Sequence, residues 1–217
     1  MIVAESPVKR VEDGAKVLLG AVVGVVIAAG RSRRFGAEKA VATLLDKPLL
    51  LWAAERLGRS CALVAVNARP GSDTERLARA HNLPVLHDAP ADAQGALAGV
   101  RAGLAWAEQL GARALAVSPC DAPLLPDDVF ERLLRAAGAG AALAETAEGR
   151  QPLCSVWPVT ALPVLTAALS AGAHPPTWRV LESLSAARVA FDDAAAFANI
   201  NTRADLADAA ARLDYQR

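Results

Sequence analysis

The sequence predicts an α/β fold of three layers, a mostly parallel mixed sheet with helices on both faces. Three observations predict it. Apolar β-type runs alternate with longer amphipathic stretches, the order that repeated β-α-β units produce. The first run, Val22–Ile27, is apolar throughout with no polar alternation, as a strand covered on both faces requires. In the second half two β-type runs follow one another across a polar turn, which predicts an antiparallel pair.

The elements follow in order. After the strand Val22–Ile27, Pro48–Arg59 reads as a helix entered through proline, whose missing N–H is unpaired in any first turn. Ala62–Val66 is a strand, Asp73–His81 a helix, and Pro84–Leu86 a short strand. Gly95–Leu110 is helical, with Leu97, Val100, Leu104 and Ala107 along one face. Ala114–Val117 is a buried strand, and Asp127–Ala137 a helix entered through Pro126. Ala141–Glu145 and Leu153–Val156 are strands joined by the polar turn Thr146–Arg150. Helices at Leu162–Ala171 and Thr177–Leu184, a strand at Arg188–Phe191 and a helix at Thr202–Leu213 complete the chain. With no repeat and no linker composition, the expectation is one domain over residues 21–217 behind an N-terminal extension, residues 1–20.

Composition narrows the function. The 217 residues are 53% hydrophobic and 21% charged, and 23 basic residues balance 23 acidic ones. A nucleic-acid binder needs a basic excess to release phosphate counterions, and disorder needs low hydrophobicity with high net charge; neither is present. Any bound anion must therefore be held by a local cluster. About fifty residues are alanine, which favours helix and leaves few large side chains for the core. Only Lys9, Lys16, Lys39 and Lys47 are lysines, all in the first quarter of the chain.

Three cysteines, Cys61, Cys120 and Cys154, lie far apart with no C-x-x-C, so neither a disulfide framework nor a zinc ribbon is expected. The histidines, His81, His87 and His174, lack metal-site spacing. The apolar stretch Val17–Gly30 is 14 residues long, too short to span a bilayer, which needs about 20. Acidic Glu5, Glu12 and Asp13 precede it, against a signal-peptide n-region. No membrane contact and a reducing cytoplasm are expected.

The most informative stretch is Ile27-Ala28-Ala29-Gly30-Arg31-Ser32-Arg33-Arg34-Phe35-Gly36-Ala37-Glu38-Lys39. It leaves a buried strand at its carboxyl end, where α/β folds place ligands. Small residues let backbone N–H groups approach a phosphate, and the arginines with Lys39 add charge-assisted donors. It is neither a Walker A loop nor G-x-G-x-x-G. Read from its residues alone, it could equally be a solvated basic loop. A second stretch, Ser118-Pro119-Cys120-Asp121-Ala122-Pro123, sets a carboxylate between prolines just past another buried strand. Mg²⁺ is usually held by one or two carboxylates plus substrate phosphates, and Asp121 has that form; a turn-capping aspartate is the alternative.

Together these motifs resemble the molybdenum cofactor guanylyltransferases. The first loop is similar to the signature loop of nucleotidyltransferases acting on small phosphorylated acceptors, with Phe35 where methionine is common. Pro119-Cys120-Asp121-Ala122-Pro123 is similar to the family's P-C-D-x-P. Val66-Asn67-Ala68, Asp88 and Gln94-Gly95-Ala96-Leu97-Ala98-Gly99 resemble its V-N-A, V-x-x-D and G-P-L-A-G, in that order. Phe197-Ala198-Asn199-Ile200-Asn201-Thr202 resembles F-x-N-[VI]-N-T, and Thr202 with Asp205 also reads as a near capping box.

The resemblance implies a Rossmann-like nucleotidyltransferase fold and a Mg²⁺-dependent transfer of GMP from GTP to molybdopterin. It implies that Arg34 and Lys39 contact the triphosphate and that Asp121 binds the metal. Ile27, Ala28, Ala29, Gly30 and Asn67 would meet the nucleoside, Asp88 and Gly95 the nucleotide, and Asn199 and Asn201 the pterin phosphate or metal. Cys120 is expected to be a packing residue and not a nucleophile. CTP is the alternative nucleotide, because Ala29 stands where the guanylyl enzymes usually have glycine and the cytidylyl relatives alanine. Other small-acceptor nucleotidyltransferases and a non-catalytic cofactor carrier are the remaining readings. The implied partners are GTP and molybdopterin, with transient contact to cofactor-delivery proteins or molybdoenzymes.

Overall fold

The computed structural model describes residues 9–10, 16–30, 38–89, 95–170 and 175–215. Among them, seven strands form the central sheet: β1 (Val22–Ile27), β2 (Leu63–Asn67), β3 (Val85–Leu86), β4 (Ala114–Pro119), β5 (Ala142–Thr146), β6 (Gly149–Pro158) and β7 (Ala187–Ala190). Their spatial order is β7-β5-β6-β4-β1-β2-β3. Within this sheet β6 runs antiparallel to both β4 and β5, and every other pairing is parallel. The mostly parallel mixed sheet read from the sequence is thus present.

Helices α1 (Leu49–Gly58), α2 (Asp73–Ala80), α3 (Ala96–Gln109), α4 (Val129–Ala137), α5 (Leu162–Ser170), α6 (Thr177–Ser183) and α7 (Arg203–Tyr215) surround it. Successive strand side chains point to opposite faces, and the core divides accordingly. Val22 and Val26 of β1 and Ala114 and Ala116 of β4 pack with Leu50 and Leu57 of α1 and Phe130 of α4. Val23, Val25, Leu115 and Val117 pack on the other face with Val100 and Leu104 of α3 and Leu165 of α5. Three layers result.

The alanine-rich composition works because glycines draw helices in. A Cβ on Gly103 of α3 would lie 2.8 Å from Leu115 Cδ2, so a larger residue there would have to push Leu115 aside. The core also has one large anchor, Trp157, fully buried, whose indole N–H donates to Ser155 Oγ at 2.9 Å.

The structure departs from the sequence-based elements in three places. The turn expected at Thr146–Arg150 contracts to two residues, because Gly149 already pairs with Thr146 and β6 starts there, with a register shift between Gln151 and Ser155. Helix α4 begins at Val129 and not at Asp127, whose carboxylate is ion-paired to Arg56 and Arg59 beside α1. A small hairpin, Thr43–Leu44 with Lys47–Pro48, precedes α1; strands of two residues carry too little periodicity to be read. Towards the N-terminus, Lys9–Arg10 pairs antiparallel with Lys16–Val17, and Leu18 is buried beside α3. No helix among the described residues is long and apolar enough to cross a membrane.

Candidate active site

Four strands end level. The register sets Ile27 beside Asn67 and Pro119, and Asn67 beside Leu86, so the carboxyl ends of β1 to β4 form one row. From β1 the chain moves outward to β2 and β3, then returns to β4 on the other side of β1. At such a switch point the connections diverge and a crevice opens at the carboxyl edge. Here that crevice has a volume of about 690 Å³, ample for a nucleotide-sized ligand. Ile27, Ala28, Ala29 and Gly30 line it after β1, Cys120 and Asp121 after β4, and Asp88 and Gly95 on the β3 side.

Residues far apart in sequence meet on its β4 side. Lys39 Nζ donates to Asp121 Oδ2 at 2.6 Å and to Asn201 Oδ1 at 2.9 Å. Each side chain has a local reason to be there. Lys39 opens a 3₁₀ turn, Lys39–Val41, anchored by buried Ala40. Asp121 follows β4 closely, and its carbonyl accepts from Ile200 N at 2.8 Å, tying the last loop to this residue. Asn201 stands at the entrance to α7, where Asp205 Oδ2 accepts from the backbone of Asn201 and Thr202, and Asp205 N donates back to Thr202 Oγ1. The near capping box is therefore formed, and these bonds, that from Asn201 N first, hold the Asp205 carboxyl below its ordinary range. The side chains of Lys39 and Asp121 are 16% and 18% exposed, so the pair is accessible from the cleft yet poorly hydrated.

On the β3 side, Asn67 is buried at 1% exposure and lies beneath the cleft, with Nδ2 donating to Asp88 Oδ1 at 2.9 Å. Asp88 itself lines the cavity. Asn199 is exposed and borders a neighbouring hollow with Pro123 and Leu124, its carbonyl accepting from Asn201 Nδ2. Arg34, like the rest of residues 31–37, lies outside the described residues, as does His174.

Glu38 was not singled out from the sequence. Its carboxylate accepts from Thr74 N at 2.8 Å, Thr74 Oγ1 at 2.6 Å and Arg69 Nη2 at 2.7 Å. It thereby clamps the exit of the first loop to the positive end of α2, next to Lys39. Its adjacency to Lys39 was the only available signal, since nothing in the sequence pairs it with Thr74. Leu153 of β6 also lines the cleft unannounced.

The thiol of Cys120 is pushed up to about 12, first by burial and then by the charge of Asp121. That direction favours the protonated thiol at neutral pH, although the residue is half-buried and lines the cleft.

A mostly parallel sheet with a cleft at its switch point is the ligand-binding arrangement of the doubly wound α/β proteins. Residues 24–190 match the MobA-like NTP transferase domain, and the chain belongs to that family of nucleotidyltransferases. It is 41% identical over 190 residues to a molybdenum cofactor guanylyltransferase of Cereibacter sphaeroides, covering 86% of this chain and 94% of the relative. Its fold is similar to that of molybdopterin-guanine dinucleotide biosynthesis protein A from Archaeoglobus fulgidus. That match has a TM-score of 0.69 and 24% identity, covering 90% of this chain and 100% of the other. A Mycobacterium tuberculosis protein solved in complex with manganese shares the fold at a TM-score of 0.61 and 17% identity, covering 80% of this chain and 89% of that one.

Proposed function

We propose that this protein transfers GMP from GTP to the terminal phosphate of molybdopterin, releasing pyrophosphate and forming molybdopterin guanine dinucleotide. The observation that carries the reading is the convergence of Lys39, Asp121 and Asn201 at the switch-point cleft. The name of the 41% identical relative supports the nucleotide and the acceptor.

The donor set fits a divalent cation of the Mg²⁺ type. Hard cations take oxygen ligands, commonly one or two carboxylates with substrate phosphates and water. Asp121 offers such oxygens on the cleft wall. No group of three or more metal-binding side chains exists among the described residues, so phosphates and water would complete the coordination. Bound there, Mg²⁺ supplies charge neutralisation at phosphate oxygens. The manganese complex of the Mycobacterium tuberculosis neighbour is in keeping with such a site.

The chain's own residues do the positioning. Lys39 offers its ammonium to the triphosphate, with Arg34 from the preceding loop as its companion. Backbone groups of Ile27 to Gly30 face the nucleoside, and small side chains at Ala28 and Ala29 allow that approach. Asp88 and Gly95 border the nucleotide from the β3 side, and Asn199 and Asn201 lie towards the acceptor phosphate. Because the attacking phosphate is already an anion, no residue has to remove its proton. Catalysis rests on orientation and charge complementarity. Residues 21–217 carry this activity as one domain behind the extension of residues 1–20, in the cytoplasm.

Ala29, which lines the cleft, favours a second reading with CTP as donor. Mass spectrometry of the product formed from molybdopterin, Mg²⁺ and either GTP or CTP decides. A guanine dinucleotide is expected. A cytosine dinucleotide would replace the donor, and no dinucleotide from either would leave a different small acceptor or a carrier role.

A further inference from the structure

Strand β6 does not run regularly past the cleft. A ladder that sets Gln151 opposite Ala144 would next set Pro152 opposite Leu143, but Ser155 stands there instead. Pro152, Leu153 and Cys154 are therefore extra residues on the β6 side. Pairing of β6 with β4 stops at Ser155 opposite Val117, short of the end of β4 at Pro119. Bulges bend a strand and re-aim a side chain, and they recur beside active sites. This one sits where β4 delivers Asp121 to the cleft.

The bulge is locked from within. Pro152 has no N–H to give to a ladder, and its carbonyl accepts from Ser155 Oγ at 2.8 Å. The same hydroxyl, fully buried, accepts from the indole N–H of Trp157 at 2.9 Å. One core side chain thus ties the bulge to the largest residue of the core. The extra residues then part. Cys154 is buried in the layer that holds α1 and α4. Leu153 is half-buried against the opposite layer and, among the described residues, is the one residue of β6 on the cleft wall.

The order of the strands says what this wall meets. The residues assigned to the nucleotide follow β1, β2 and β3, and β6 flanks β4 on the side away from them. In a phosphoryl displacement the attacking and leaving oxygens lie roughly in line, on opposite sides of phosphorus. The acceptor therefore comes from the flank that the nucleotide leaves open. Beyond its phosphate, molybdopterin is a ring system bearing two sulfurs, and such a body gains dispersion contact with an aliphatic wall.

We propose that Leu153 is a specificity-determining residue for the acceptor, in contact with the ring body of molybdopterin, and that Ser155 is the positioning residue that holds it there through the bulge. The inference rests on the reading of the cleft as the site of GMP transfer to molybdopterin.

The test is steady-state kinetics with GTP and molybdopterin varied separately, and urea midpoints to verify that each variant is folded. Leu153→Ala is expected to raise KM for molybdopterin roughly tenfold, the scale of methylenes lost from an apolar pocket, while KM for GTP stays put. Leu153→Asp, which sets a carboxylate against an anionic acceptor, should raise it further. Leu153→Met, close in volume, should restore it. Ser155→Ala should raise the same KM but add nothing beside Leu153→Ala. Because it also leaves the buried indole N–H without its partner, it should lower the urea midpoint; a purely structural role would move the midpoint alone.

An unchanged molybdopterin KM in Leu153→Ala and Leu153→Asp, with the wild type forming the dinucleotide, would overturn the proposal and leave the reading of the cleft intact. Parallel rises in both KM values would set Leu153 against the nucleotide and overturn it equally. Additive effects of Ser155→Ala and Leu153→Ala would overturn the role of Ser155. A wild type that forms no dinucleotide from molybdopterin would instead sink the reading of the cleft and the proposal with it.

Discussion

Lys39 faces Asp121 at 2.6 Å and Asn201 at 2.9 Å, so the cation proposed for the triphosphate also neutralises the carboxylate proposed for the metal. A part-buried charge deprived of its partner is poorly tolerated, so with the proposed roles the ammonium would compete with a cation for Asp121 until phosphate drew it away. Lys39→Met is therefore expected to bind Mn²⁺ more tightly than the wild type without nucleotide, read by electron paramagnetic resonance of free Mn²⁺. Unchanged or weaker binding would uncouple the pair. The same variant should lose orders of magnitude in turnover, because its cation is missing where charge develops. Lys39 and Asp121 were legible in the sequence because each follows a strand end in a recognisable motif. The clamp by Glu38 was not, since its partners Thr74 and Arg69 are brought to it only by the packing of α2.

Most elements could be read because helical periodicity and doubly buried strands leave strong patterns, as in β1 and α3. The boundaries that moved did so for tertiary reasons: the β5–β6 hairpin tightened on Gly149, and Asp127 was taken up by arginines at α1. Two consequences can be measured. Thr202→Ala removes the oxygen that accepts from Asp205 N at the start of α7. It should lower unfolding stability by about 1 kcal/mol, as for other N-cap threonines, and raise KM by loosening Asn201; stability unchanged by urea titration would show that the cap is idle. Gly103→Leu forces a side chain into the contact between α3 and Leu115. Overpacking of this kind costs about 1–3 kcal/mol, visible as a lower urea midpoint, while Gly58→Ala at the end of α1, with nothing within 4 Å, should leave the midpoint unchanged or raise it.

Zero net charge describes the whole molecule poorly, because its charges are sorted at the sheet's carboxyl edge. Lys39 follows β1 there, while Asp88 and Asp121 follow β3 and β4. The fold that sorts them also draws thiols away from water, burying Cys154 and half-burying Cys61 and Cys120: desolvation pushes Cys61 and Cys120 up to about 12 from 9.0, and Cys154 is raised as well. Protonated in both states below pH 9, these groups do not oppose folding there. Above it the unfolded chain ionises first, so stability is lost as pH rises from about 9 towards 12. Thermal unfolding across that window should fall with pH, and less steeply in Cys154→Ala; equal slopes would place the effect elsewhere. For Cys61 and Cys154 the sequence carries no sign of this, because burial of a cysteine depends on which helix covers it; only Cys120 was expected to be a packing residue.

The central claim is that this cleft transfers a nucleotidyl group using the cation of Lys39 and the carboxylate of Asp121. The most direct measurement is the rate of pyrophosphate release from GTP with molybdopterin and Mg²⁺, compared between the wild type and Asp121→Asn. Release that requires molybdopterin, and that falls by orders of magnitude in an Asp121→Asn protein with an unchanged unfolding midpoint, is the expected result. Equal rates in the two proteins, or no release by the wild type, would contradict it.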